Sequence, residues 1–124
     1  MSTPKTTIIV LSDPANGEEA LGRVFNALAA TYDFKRRNRP VQLVFQGAGT
    51  RWPAVLAKPE HPVHGLYLAV GDTIAGASAG CAAVFGASDD LRQHGIPFIT
   101  DNAVPGTAGL PSLVEYSAGP VLTF

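Results

Sequence analysis

Thr6-Thr7-Ile8-Ile9-Val10-Leu11-Ser12 is a β-branched, almost unbroken apolar run. Such a run suits a strand buried on both faces, as in a parallel sheet covered by helices. It stops at the breaker sequence Asp13-Pro14-Ala15-Asn16-Gly17. A helix is expected next, because Leu21, Val24, Phe25, Leu28 and Tyr32 recur at helical spacing and would form its inward face. Glu18 and Glu19 open that helix and Lys35, Arg36 and Arg37 close it, a polarity that complements the helix dipole. Pro40 forbids continuation, and Val41–Gln46, reading VQLVFQ, is a second strand. A β–α–β opening demands a crossover and a parallel pair.

The same alternation continues. Arg51–Lys58 reads as a short helix that tolerates Pro53 in its first turn. Val63–Asp72 is a second helical stretch and Ile74–Ser78 a third strand made of small residues. Ser88–His94 has the marks of a helix capped by Ser88 and stopped at Gly95. Ile96–Thr100 is a fourth strand, Pro111–Ser117 a short helix, and Val121–Phe124 a last strand. Residues 1–124 therefore read as one α/β domain: a doubly wound, mainly parallel sheet of about five strands with helices on both faces.

Composition narrows the function. Nine Lys and Arg against ten Asp and Glu give a net charge of −1, which argues against a general nucleic-acid binder. One cysteine excludes an internal disulfide and a Cys-rich zinc site. No apolar stretch approaches the ~20 residues of a membrane span, and the opening MSTPKTTIIVLS lacks the apolar core of a secretory signal. A cytoplasmic protein with a reduced thiol, no metal and no cofactor is the expectation. An apolar content of 46% beside 15% charge points to apolar surface held in subunit contacts, hence a homo-oligomer.

Ligands of a doubly wound sheet gather at the carboxyl ends of its strands. Four segments should arrive there, Ser12–Gly17, Gln46–Thr50, Ser78–Phe85 and Thr100–Gly106. In the first, Asp13 and Asn16 can hydrogen-bond a ligand. In the second, Gly47, Gly49 and Thr50 invite a nucleotide or flavin phosphate, yet lack the lysine of a Walker loop and read more readily as a turn. Cys81 is the candidate nucleophile, with Ser78 and the backbone near Ala82 available to steady a thiolate; a small buried hydrophobe is its other reading. His61 and His64 have metal-ligand spacing, but Pro62 interrupts it and no carboxylate cluster surrounds them, so surface loop histidines are the favoured reading. Lys35-Arg36-Arg37-Asn38-Arg39 is either a solvated helix end or a contact for an acidic partner, without aromatics for base stacking. Trp52, the only tryptophan, suits a site cover or core packing.

Along nearly its whole length the chain resembles the DsrE/DsrF-like sulfur-relay family and its YchN-like relatives. The resemblance rests on the opening strand with its Asp13-Pro14 loop, on Val41–Gly47, and above all on Ile74–Gly86, reading IAGASAGCAAVFG. Leu91–Ile96, Leu113–Tyr116 and Val121–Phe124 also fit. The resemblance implies a flavodoxin-like subunit assembled into trimers or hexamers. It further implies that Cys81 accepts sulfane sulfur from a protein donor as a persulfide and passes it to an acceptor. The alternative is a non-catalytic oligomeric subunit that binds a small ligand at the carboxyl edge of the sheet.

Overall fold

The structure, a computed structural model, describes residues 3–124; Met1 and Ser2 of the amino-terminal stretch lie outside them. Five strands form one all-parallel sheet: β1 Lys5–Val10, β2 Val41–Phe45, β3 Ile74–Ser78, β4 Phe98–Ile99 and β5 Ala118–Thr123. Their spatial order is β4-β3-β2-β1-β5. The chain thus steps outward from β1 through β2 and β3 to β4, then returns to the far side of β1. Flavodoxin has the same layout, one strand on one side of β1 and three on the other, but supplies the lone strand second. Here it comes last.

Six helices join the strands: α1 Gly17–Arg36, α2 Trp52–Leu56, α3 His64–Ala69, α4 Ala79–Val84, α5 Ser88–Gln93 and α6 Leu110–Ser117. Strand alternation sorts them into two layers. Ile8, Val10, Leu43, Phe45 and Ala77 face one way and share a buried core with residues of α1 to α5, among them Val24, Leu28, Leu56, Tyr67, Ala82 and Leu91. Thr7, Ile9, Gln42 and Val44 face the other way, towards α6. There Gln42 donates to Thr7 Oγ1 at 2.8 Å, so two polar side chains of neighbouring strands satisfy each other.

The structure shifts several sequence expectations. The inward face of α1 is Ala20, Val24, Ala27, Leu28 and Thr31, whereas Phe25 and Tyr32 are exposed. Alanines let the helix approach the sheet closely, and Thr31 satisfies its buried hydroxyl on Ala27 O at 2.8 Å. α3 ends at Ala69 and gives way to a 3₁₀ turn over Gly71–Thr73. Ser88 is the first residue of α5, with Ala87 at the cap position. β4 is only two residues long, and β5 starts at Ala118, earlier than expected. Pro120 lies within β5, which an edge strand tolerates. α4 is an addition to the expected elements, since its small residues carry no periodic signal.

Candidate functional site

All four carboxyl-edge segments come together, and most of their polar groups serve one another. In the β1–α1 loop, Asp13 accepts from Ala15 N at 3.0 Å and meets the Arg51 guanidinium at 3.2 Å. Arg51 also donates to Phe85 O at 3.0 Å and lies 5.4 Å from the Phe85 ring centre. One arginine therefore ties the loop after β1 to the end of α4. Trp52 is buried and donates from its indole to Ser12 O at 2.9 Å, so it fixes the same loop from below.

Gly47–Arg51 forms a 3₁₀ turn in which Gly49 N donates to Gln46 O at 2.9 Å and Thr50 Oγ1 to Gly47 O at 2.8 Å. Gly49 and Thr50 are buried, because this turn packs against the end of β1. Gly49 serves a close approach to the backbone of β1 with its own amide engaged, and Gly47 serves a left-handed turn at φ 57°.

Ser78 closes β3 and caps α4. Its hydroxyl accepts from Cys81 N at 3.1 Å and donates to Thr107 O at 3.1 Å. Cys81 is 6% exposed, Ser78 1% and Ala82 0%. The loop carrying Thr107 presses against this turn so tightly that a Cβ on Gly80 would stand 2.7 Å from Thr107 O. Ser78 and Ala82, expected at a ligand or thiolate, are instead packed inside. His61 Nδ1 accepts from Val63 N at 3.1 Å, and His64 Nδ1 is 2.8 Å from Leu56 O. Each imidazole is engaged by local backbone, and no group of metal-ligating side chains forms among the described residues.

An open crevice lies beside these packed segments. A cavity of about 500 Å³ is lined by Leu11, Ser12, Asn16, Glu19, Ala20, Arg23, Thr123 and Phe124. It sits beyond the carboxyl ends of β1 and β5, over the first turns of α1. This is the point where strand order reverses, the position at which open α/β sheets leave a ligand crevice. Asn16 lines it with a side chain that makes no capping bond to α1. Glu19 and Arg23 form an exposed ion pair at 2.8 Å on its wall. Leu11, 45% exposed, and Phe124 supply apolar surface. Of the residues expected to bind a ligand, only Asn16 lines this crevice. In the sequence Glu19 reads only as a charge favoured by the helix dipole, and Arg23 carries no signal, since which loop borders β5 depends on strand order.

No protein-family model matches the chain, and no curated protein matches it either. Among solved structures, a conserved protein of unknown function from Bacteroides thetaiotaomicron is similar, with a TM-score of 0.65 and 19% identity. The match covers 98% of this chain and 95% of that one. It supports the fold as a whole, from β1 to β5. No helix among the described residues is long and apolar enough to cross a membrane.

Proposed function

We propose that this chain is a non-catalytic binding subunit that takes a small polar molecule into the crevice between β1 and β5. The observation that carries the reading is the coincidence of an open cavity of about 500 Å³ with the reversal of strand order. Its volume falls in the ~300–1,000 Å³ range of small-molecule sites. Arg23 suits a carboxylate or phosphate, Glu19 and Asn16 suit hydroxyl or amino donors, and Leu11 with Phe124 suits a short carbon skeleton. The ligand would divide the Glu19–Arg23 pair between its own acceptor and donor groups.

A sulfur carrier of the DsrE kind asks for a thiolate that a donor can reach. Cys81 Sγ would attack a donor persulfide, take the sulfane sulfur, and release the donor as a thiolate. A cysteine only 6% exposed favours the binding reading over that exchange.

The test is a thermal-shift screen of amino acids, hydroxy acids and sugar phosphates, repeated with Asn16→Ala and Arg23→Ala. Stabilisation by one chemical class, lost in both variants while their own melting temperatures stay near the parent's, is the expected result. No stabilisation, or hits indifferent to both changes, would remove the crevice from consideration. In parallel, intact mass after exposure to a persulfide donor should stay unchanged. Gain of one sulfur atom, abolished in Cys81→Ala, would restore the relay reading instead.

The same subunit would assemble through its sheet edge. β5 is an edge strand without a charged residue, and Val121 and Leu122 are 37% and 39% exposed. Pro120 blunts the first half of that edge, which leaves the neutral, half-apolar Val121–Thr123 as the stretch able to pair with another chain. A second copy would extend the sheet across β5. Val121→Lys is expected to convert a sedimenting oligomer to monomer with an unchanged circular dichroism spectrum. A parent protein already monomeric at micromolar concentration would remove this part.

A further inference from the structure

The basic run at the end of α1 is not uniform. Lys35 donates to Asp72 at 2.7 Å and to Ala69 O at 2.8 Å, and the bond to Asp72 holds that carboxyl below its ordinary range. Arg36, Arg37 and Arg39 join none of the ion pairs among the described residues. Cations at a helix carboxyl end need no special reason, since the dipole favours them. What sets two of these apart is the turn between them.

Asn38 has φ 55°, a left-handed conformation that asparagine tolerates. It reverses the chain so that Arg39 N donates to Phe34 O at 2.9 Å and Asn38 N to Lys35 O at 3.0 Å. Those paired bonds are a Schellman closure, and they satisfy the carbonyls of Phe34 and Lys35 without help from any side chain. The arginines are thereby left free of capping duty. The reversal also brings Arg37 and Arg39 to one cavity of about 410 Å³, whose other walls are Ala30, Asp33 and the half-buried Phe34.

We infer that this cavity is a second binding site, specific for a phosphate monoester on a small organic group. Two arginines on the wall of one cavity suit a phosphate, which carries nearly two negative charges, better than a single carboxylate. Phe34 and Ala30 offer the organic part an apolar wall. Asp33, which forms none of the ion pairs among the described residues, can accept from a hydroxyl or amino group on that part. Arg36 is absent from the cavity wall and serves as the internal control.

The site stands apart from the crevice proposed above. The two lie at opposite ends of α1, and their lining residues do not overlap. The experiment is calorimetric titration of the full chain with adenosine 5′-monophosphate at low salt, with adenosine as the uncharged comparison. The nucleotide should bind and adenosine should not. Arg37→Ala and Arg39→Ala should each weaken the nucleotide by at least about tenfold, and Arg36→Ala by much less. Two outcomes would overturn the site: no heat at millimolar nucleotide, or an equal loss in all three variants. The second would mean diffuse attraction to a charged helix end.

Discussion

Gly49→Ala is expected to destabilise the fold by about 3 kcal/mol, the upper part of the range for forced overpacking. Gly49 is buried where the turn after β2 crosses the end of β1. A Cβ there would stand 2.8 Å from Val10 C and closer still to Val10 O, and 3.3 Å from Leu11 Cα. These are backbone atoms at the end of a central strand, so no rotamer change relieves the clash. Gly49 has no positive φ, and the penalty is therefore steric rather than conformational. Urea denaturation should show a lower midpoint at an unchanged slope. Gly22→Ala supplies the contrast, because nothing stands within 4 Å of a Cβ at this exposed position in α1. It should stabilise by about 0.5–1 kcal/mol, the helix preference of alanine over glycine. If the turn instead cradled a phosphate, Gly49→Ala would fold normally and lose only an anion, which would refute a packing role for this glycine.

Gly49 also shows how far the sequence can be read. Glycines after a strand fit both a phosphate turn and a close backbone crossing, because both need a missing Cβ. Only the position of Val10 O decides between them. The strand and helix alternation is legible because β1 and β2 are long, apolar and bounded by Asp13-Pro14 and Pro40. The inward face of α1 is obscured for a different reason. Phe25 and Tyr32 outweigh alanines in any hydrophobic count, yet Ala20 and Ala27 sit on the sheet because their small size permits close approach. Cys81 lies beside the end of β3 as its position in the chain implies, but the turn that carries it is packed at Ser78 and Gly80 by a loop far along the sequence, at Thr107. The crevice is the least legible feature. Asn16, Glu19 and Arg23 come to line one crevice with Thr123 and Phe124 only when β5 returns beside β1, and local patterns do not report that long-range step.

Trp52 links core stability to that crevice, and its substitutions should separate the two roles. Trp52→Ala removes a large side chain that is 2% exposed and should cost about 4 kcal/mol through lost burial and an unfilled cavity. Trp52→Phe keeps much of the apolar contact but deletes the indole donor to Ser12 O. That change should cost about 1 kcal/mol for the hydrogen bond, plus a smaller packing loss. The effect on the crevice should run differently. Ser12 is a lining residue, and its carbonyl is held by this indole while Asp13 next to it is held by Arg51. Without the indole, the loop between β1 and α1 keeps one of its two anchors, so Asn16 and Ser12 no longer meet a ligand in a fixed geometry. Ligands found by thermal shift should therefore bind Trp52→Phe severalfold more weakly although the fold persists. Circular dichroism must follow the unfolding, because Trp52 is the only tryptophan and its fluorescence disappears with it. Equal ligand affinity in Trp52→Phe and parent would mean that the loop is fixed by Asp13–Arg51 alone. The tryptophan would then be core packing and nothing more.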